Sequence, residues 1–244
     1  MRLQTEGIVI RETTTGENDR IVTLLTKDMG VLRAFANGAK TMRSRSLSGT
    51  QLLCYSKFSI YSGRDAYVIS EAQPIEVFFE LRNDIERLAL AQYFCELSAE
   101  LAPREDEAPE ELRLILNSLH YLAQGRRPQP FLKALTELRL LCMAGYQPNL
   151  VACADCGSYD AEPMYFNVHD GTLRCSSCGG KGIALSRGVL TAMRYICYVP
   201  FEKLYRFTLS DDGLRQLANV TERYLTAQLN RGFKTLDFYN TLKT

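Results

Sequence analysis

The 244-residue sequence lacks the features of several protein classes. It has no apolar run near the ~20 residues that a membrane-spanning helix needs, and its first residues lack the apolar core of a secretory signal. It contains neither a phosphate-binding G-x-x-x-x-G-K-[ST] loop nor a G-x-S-x-G nucleophile motif. We therefore expect a cytoplasmic binding protein with no catalytic residues, no small-molecule substrate and no membrane partner.

Histidine is also scarce, since His120 and His169 are the only two in the chain. His120 falls on a predicted helix next to leucine and tyrosine, where a packing role is the ordinary interpretation. His169 could serve as a metal ligand, but four nearby cysteines already suffice for one ion. No nucleophile, base and oxyanion donor come together in the sequence, so a binding protein is the better interpretation.

Acidic residues are absent from one long window, between Asp28 and Asp65. The overall net charge of +1 predicts no particular partner, but a local excess of cations is a candidate surface for phosphates. A solvated face without a ligand is the alternative. Serines and glycines around residues 40–45 predict a flexible polar loop. The candidate phosphate-binding residues are Arg33, Lys40, Arg43, Arg45, Lys57 and Arg64.

Cysteine is present in a pattern that points to a metal. Two C-x-x-C pairs are separated by an interval within the range of about 15–20 residues that is typical of structural zinc sites. Gly157 and Gly179 each follow a pair, where a left-handed turn is often required. Redox-active pairs or unused thiols are the alternatives. We predict one structural zinc ion, with no open coordination position. The predicted ligands are Cys153, Cys156, Cys175 and Cys178.

The other four cysteines lie in apolar contexts and are predicted to be reduced core residues. They are Cys54, Cys95, Cys142 and Cys197. Neither their spacing nor their neighbours indicate a disulfide framework.

Residues 5–72 alternate between apolar and polar side chains and are punctuated by turn signals, which predicts five short strands. A five-stranded barrel of the OB type would fit this length. After Pro74 the apolar period changes to three and four, which predicts helices. The predicted helices run from about Val77 to before Pro103, then over 109–123, 130–145, 186–198 and 210–229.

The predicted fold is therefore α+β and multi-domain: an OB-type barrel followed by a helical bundle with an inserted four-cysteine zinc module. We expect the barrel at 1–75, the first part of the bundle at 76–149, the zinc module at 150–182 and the rest of the bundle at 183–244.

The sequence resembles the bacterial recombination mediator family RecO. The resemblance begins with the run Thr5–Arg11 and continues through Gly16–Thr26, Ala36–Lys40 and the turn Tyr61–Arg64. It returns at Glu137–Leu141 with Gly145–Pro148, and it ends with Lys234–Phe238. The motifs thus cover nearly the whole chain.

This resemblance implies a non-enzymatic DNA-repair protein with an OB fold and, as in many members, a zinc module. Such a protein binds single- and double-stranded DNA at the nucleoid, anneals complementary strands and works with RecR. Together they displace single-stranded-DNA-binding protein so that RecA can load. Asn37 stands where many relatives have a cation, which would weaken the basic surface. The alternative is a zinc-bearing protein-interaction scaffold with no direct DNA role.

OB folds bind single strands through a charged groove and aromatic side chains that stack on bases. Strand alternation would turn some aromatic residues of the barrel inward, and the sequence does not decide which. The candidates are Phe35, Tyr55, Phe58, Tyr61 and Tyr67.

The resemblance also implies contact with the acidic, apolar-ended tail of single-stranded-DNA-binding protein. An apolar pocket rimmed by cations would suit such a tail. The start of the third predicted helix supplies both ingredients, although a capped helix with ordinary surface charges is the alternative. The residues concerned are Arg126, Arg127, Phe131 and Lys133.

Overall fold

The computed structural model describes residues 2–15, 17–39, 41, 46–63 and 66–243. The chain divides into two units: the first comprises residues 1–126 and 233–244, and the second comprises residues 127–232. This grouping places the helices near residues 85–123 with the N-terminal sheet, which differs from the four-part division expected from the sequence. In the described part of the chain, no helix combines the length and the apolar character needed to cross a membrane.

The first unit contains a closed sheet of five strands, which we call the closed sheet. The strands pair in the order β1-β2-β3-β5-β4, and β4 pairs back with β1. All pairings are antiparallel except the short parallel pairing of β3 with β5. The strands are β1 (Arg2–Thr15), β2 (Asp19–Thr26), β3 (Gly30–Ala36), β4 (Cys54–Ser62) and β5 (Tyr67–Val77).

Alternation along each strand fills the interior of the closed sheet with apolar side chains. In β3, for example, Leu32, Ala34 and Ala36 are buried while Arg33 and Phe35 are exposed. Phe58 and Ile60 are fully buried on β4. Because side chains of successive strand residues point to opposite faces, this register also determines which residues lie on the outer face.

Three helices belong to the first unit: α1 (Ile85–Leu101), α2 (Pro109–Ala123) and α6 (Lys234–Thr241). The expected start of the first helix at Val77 is wrong, because β5 extends to that residue and a 3-10 turn follows at Phe79–Asn83. Asp84 then caps α1 by accepting hydrogen bonds from the N–H groups of Glu86 and Arg87.

The tip of the β2–β3 hairpin is held by the segment that follows α1. Pro103 accepts a hydrogen bond from Val31 N–H at 2.8 Å, and Ala108 N–H donates to Lys27 at 2.9 Å. Gly30 has φ +55°, and a Cβ atom there would lie 2.1 Å from the Pro103 carbonyl oxygen. This position therefore requires glycine both for its backbone conformation and for the close approach.

The second unit combines three helices with a small sheet. The helices are α3 (Gln129–Met143), α4 (Arg187–Tyr198) and α5 (Asp211–Leu229). Ser186 and Ser210 cap the last two by accepting hydrogen bonds from the N–H groups of Val189 and Gly213. The sheet has the order β6-β8-β7-β9. Its strands are β6 (Asn149–Cys153), β7 (Met164–Asn167), β8 (Thr172–Cys175) and β9 (Ile183–Leu185).

A buried ionic network joins α3 to α5. Lys133 Nζ lies 2.7 Å from Glu137 and 2.8 Å from Glu222, and Thr221 donates a hydrogen bond to Glu137 at 2.6 Å. Burial lowers the pKa of Lys133, but the two carboxylates outweigh that effect and raise the pKa overall. The network therefore keeps its charges in the folded unit.

Candidate metal centre and nucleic-acid face

The four cysteines predicted as ligands come together at one end of the small sheet. Their Sγ atoms all lie within 4.8 Å of one another, and those of Cys156 and Cys175 are 3.7 Å apart. Cys153 and Cys175 are buried at the ends of β6 and β8, whereas Cys156 is exposed. His169 lies in the turn between β7 and β8 and is not part of this group.

Tight turns aim both sulfurs of each pair to the same side. Gly157 has φ +72° and its N–H donates to the Cys153 carbonyl at 2.9 Å. Gly179 has φ +69° and ends the 3-10 turn Ser176–Cys178. Each glycine adopts a left-handed conformation that other residues rarely do. The glycine after each C-x-x-C pair is therefore part of the ligand geometry.

The sulfur cluster fits a tetrahedral zinc ion. Zn–S bonds of about 2.3 Å in a tetrahedron place the sulfurs about 3.8 Å apart, close to the Cys156–Cys175 separation of 3.7 Å. Backbone N–H groups of Cys156 and Cys175 lower the pKa of the Cys153 thiol to about 6. Hydrogen bonding with the sulfurs of Cys156 and Cys175 raises the pKa of Cys178. Thiolates this close together repel one another, and a divalent cation would remove that repulsion by neutralising their charge.

Arg194 of α4 attaches this small sheet to the helices of its unit. Its guanidinium donates hydrogen bonds to the carbonyls of Leu150 (2.6 Å), Val151 (2.9 Å) and Tyr159 (3.3 Å). The same group stacks 4.0 Å from the centre of the Tyr159 ring. One side chain thus binds both β6 and the loop after Cys156. No local pattern in the sequence indicates this role, since the four contacts are long-range.

The outer face of the closed sheet carries aromatic side chains and cations in register. One row crosses from β2 through β3, β5 and β4 to β1, and we call it the aromatic row. Phe35 is 36% exposed and Tyr61 is 45% exposed, and the Arg2 guanidinium lies 5.8 Å from the Tyr61 ring centre. The row consists of Ile21, Phe35, Val68, Tyr61 and Arg2.

The register separates the five candidate stacking residues that the sequence left undecided. Phe58 is fully buried in the core of the closed sheet. Tyr55 donates a hydrogen bond to Glu6 at 2.7 Å, and burial and then this bond raise the pKa of Tyr55 to about 12. Phe35 and Tyr61 are exposed, whereas Tyr67 is half-buried and packs against the core of the closed sheet. Phe35 and Tyr67 line a hollow of about 450 Å³. Phe35 and Tyr61 are thus the rings available for stacking.

Two of the candidate cations lie on this outer face. Arg33 is exposed and borders the same hollow, together with Glu105. Lys57 is exposed between Glu6 and Gln73 in register. Lys40, Arg43, Arg45 and Arg64 lie outside the described residues.

Arg11 is a further cation that the sequence interpretation missed. Both Arg11 and Arg33 pair in register with Thr23 on β2, from opposite sides. Both are exposed, so three adjacent strands present two guanidinium groups. Arg11 lies before the acid-free window, and only strand pairing reveals that it joins the others.

The expected tail-binding residues are not a single exposed cluster. Arg126 is exposed at the end of the first unit. In the second unit, Arg127 stacks on Phe131 at 5.1 Å and donates to the Tyr205 carbonyl. Phe131 itself is 2% exposed, so the expectation that it lines an exposed apolar pocket is wrong. The expectation that Lys133 forms a cationic rim is wrong, because it is 3% exposed and paired with two carboxylates.

Comparison with known proteins covers nearly the whole chain. The family model "Recombination protein O N terminal" matches residues 1–78, and "Recombination protein O C terminal" matches residues 82–237. The DNA repair protein RecO of Acetivibrio thermocellus is 37% identical over 98% of this chain and 97% of its own. The same protein of Symbiobacterium thermophilum is 33% identical over 98% and 97%. That of Dehalococcoides mccartyi strain CBDB1 is 31% identical over 98% and 96%. The chain therefore belongs to the RecO family of DNA repair proteins.

Proposed function

We propose that this protein is a recombination mediator that acts by binding DNA rather than by catalysis. It holds single- and double-stranded DNA on the outer face of the closed sheet, an OB-type barrel, and anneals complementary strands. The observation that carries the proposal is the aromatic row, where exposed Phe35 and Tyr61 share one face with Arg2 and Arg33. Single-strand binding needs aromatic rings that stack on bases and nearby cations that contact the phosphates.

In this proposal, the window without acidic residues between Asp28 and Asp65 supplies further phosphate contacts. Lys40, Arg43, Arg45 and Arg64 carry phosphate contacts in addition to Arg33 and Lys57, and Arg11 joins them. Lys57 contributes least, because the Glu6 carboxylate lies opposite it in register. Glu105 beside the hollow also reduces the local positive potential.

The small sheet and its four cysteines, which we call the metal module, support this function as a structural element. One zinc ion bound by Cys153, Cys156, Cys175 and Cys178 holds the turns of the small sheet, and four thiolates leave no position for a substrate. The module therefore stabilises the second unit and supplies no chemistry.

The partners in this proposal follow the family. The protein works with RecR and single-stranded-DNA-binding protein at the nucleoid so that RecA can load. Arg127 remains the proposed docking point for the acidic tail, without Lys133 and without Phe131, which is only 2% exposed. Because Arg127 already donates to the Tyr205 carbonyl, a tail carboxylate would share its guanidinium with that oxygen.

Two substitutions test the DNA-binding face, and each should change a different property of DNA binding. Phe35→Ala should weaken binding of fluorescent single-stranded DNA by roughly 1–3 kcal/mol, because one stacked base is lost, and should leave the salt dependence unchanged. Arg33→Ala should flatten the slope of log affinity against log salt by roughly 0.7, because one phosphate contact is lost. Titrations at several salt concentrations measure both effects.

Matched controls are available on exposed positions outside the aromatic row. Phe79 is 54% exposed, and Phe79→Ala is the control for Phe35→Ala. The side chain of Arg215 in the second unit is 71% exposed, and Arg215→Ala is the control for Arg33→Ala. If Phe79→Ala and Phe35→Ala weaken binding equally, the stacking assignment is wrong. An unchanged slope in Arg33→Ala would remove Arg33 from the phosphate contacts.

A protein-interaction scaffold is the second candidate function. Three large apolar residues are exposed where β5 leads into α1, namely Ile75 (52%), Phe79 (54%) and Ile85 (57%). Exposed apolar residues near one another are typical of protein-binding surfaces. Absence of salt-dependent DNA affinity, together with binding of RecR that Phe79→Ala weakens, would favour this function over the first.

A further inference from the structure

Two cysteines outside the metal centre form a close pair in the second unit. Cys142 lies in the last turn of α3 and Cys197 in the last turn of α4, and their Sγ atoms are 3.6 Å apart. A disulfide bond has an S–S length of about 2.05 Å, so the sulfurs must approach by about 1.6 Å. Small rotations of the two side chains supply a movement of this size.

The backbone around this pair is held in place by Arg139. Its guanidinium donates hydrogen bonds from α3 to the carbonyls of Ile196 (3.0 Å) and Cys197 (3.1 Å) on α4. The two helix ends that carry the thiols are therefore fixed to each other independently of sulfur chemistry.

The two thiols differ in their pKa shifts and in their exposure. The hydrogen bond with Cys197 lowers the pKa of Cys142, burial opposes this, and the Arg139 charge lowers it further. The same contact raises the pKa of Cys197. Cys142 is half-buried, whereas Cys197 is only 6% exposed. Because the thiolate is the nucleophile, Cys142 suits the first attack and Cys197 the second.

The position of the pair in the chain gives a disulfide a structural consequence. The chain between α3 and α4 contains all four strands of the small sheet and all four metal ligands. A bond between Cys142 and Cys197 would close a covalent ring around that whole segment. Such a ring limits how far the segment's ends can separate when the metal is lost.

We propose that Cys142 and Cys197 are a redox modification site, at which a hydroperoxide forms a reversible disulfide that closes this ring. The Cys142 thiolate attacks the peroxide, the O–O bond breaks, and Cys142 becomes a sulfenic acid. The hydroxide or alkoxide that leaves takes up the proton that the Cys142 thiol gave up, and departs as water or an alcohol. The Cys197 sulfur then attacks the Cys142 sulfur, the S–O bond breaks, and hydroxide leaves with the Cys197 proton as water. A dithiol reductant returns both thiols and is itself oxidised to a disulfide.

The test uses the full chain in its zinc-loaded form. The reduced protein is treated with hydrogen peroxide, free thiols are alkylated, and peptides are mapped by mass spectrometry without reduction. We expect a peptide pair joined through Cys142 and Cys197 that disappears on treatment with dithiothreitol. After removal of zinc by a chelator, the oxidised protein should rebind zinc faster than the reduced protein, because the ring keeps the ligands together.

Cysteine variants separate this site from the others. Cys142→Ser should abolish the joined peptide pair, and Cys197→Ser should leave a Cys142 sulfenic acid that dimedone traps. Cys95→Ser removes a buried cysteine of the first unit and should leave the pair unchanged. Wild-type protein in which Cys142 stays reduced while the metal ligands or Cys54 oxidise would overturn the proposal, and this result does not depend on any variant folding.

Discussion

The closed sheet and the metal module are both small β structures, but different forces hold them. The closed sheet surrounds its own apolar core, in which Val9, Val22, Leu24, Phe58 and Ile60 are all fully buried. In the module, two of the predicted metal ligands, Cys153 and Cys175, are themselves among the buried residues. Segments this short rarely bury enough apolar surface to fold without a metal or a disulfide. The closed sheet should therefore fold without metal, whereas the module should depend on it.

Removal of the metal should have the largest effect and should be confined to the module. Cys175→Ser leaves three thiolates and an incomplete tetrahedron, so we expect loss of the bound zinc. Apparent zinc-binding free energies of about 10–16 kcal/mol in zinc-finger peptides indicate how much stability is lost locally. Hydrogen exchange should show loss of protection over residues 149–185 and unchanged protection in β1 to β5. Cys54→Ser is the matched control, because Cys54 is buried but belongs to the closed sheet.

A cavity in the closed sheet should produce the converse pattern. Phe58 is fully buried, so Phe58→Ala should reduce the free energy of unfolding by about 3–5 kcal/mol while zinc content stays at one ion per chain. Phe79→Ala, at an exposed phenylalanine, should change stability by less than about 0.5 kcal/mol. Zinc loss in Phe58→Ala would show that the two regions do not fold independently.

The ionic network between α3 and α5 shows how much buried charge contributes to stability in the unit that also contains the module. Lys133→Met should cost about 3 kcal/mol, since it leaves Glu137 buried without its cation. The double variant Lys133→Met with Glu137→Leu should recover most of that loss, because no buried charge is left and Glu222 is 33% exposed to water. Thermal unfolding of the three proteins measures the difference. Equal losses in the single and double variants would show that packing, not charge, dominates here.

Gly30 gives the smallest expected effect and tests how the closed sheet is held at its hairpin. Gly30→Ala should cost about 1–3 kcal/mol, because the backbone is left-handed and the new Cβ meets the Pro103 carbonyl. Gly38 has φ +62° but nothing within 4 Å of the added atom, so Gly38→Ala should lose only the conformational part. Chemical denaturation of both variants separates the two contributions. Equal losses would mean that the contact with Pro103 adds no strain.

Local patterns predicted the parts of this molecule that local rules govern. Strand alternation predicts strands at 21–26, 31–36 and 54–61, and the ends of β2, β3 and β4 lie within two residues of these bounds, because one face of each strand is buried. The C-x-x-C spacing and its glycines identified the sulfur cluster, because each pair is positioned by its own turn. The aromatic row, which joins Phe35 to Tyr61, was not predictable, since it depends on pairing between strands that are distant in the sequence.

Long-range contacts account for the errors. Lys133 was expected at the surface because its cationic side chain sits near the start of a helix, yet Glu222 of α5 meets it in the interior. Helix α6 was missed because it is short and packs through distant partners, such as the N–H of Thr235 donating to Glu96. Arg11 and Arg33 come to lie on one face because each pairs in register with Thr23 of β2, from opposite sides.

DNA binding by metal-free protein tests directly whether the closed sheet holds DNA and the metal module is structural. Chelator-treated protein and zinc-loaded protein are titrated with the same fluorescent single-stranded DNA at several salt concentrations. We expect the same slope of log affinity against log salt for both, because the proposed phosphate contacts lie on the closed sheet. A slope that collapses when zinc is removed, while hydrogen exchange shows β1 to β5 intact, would contradict it.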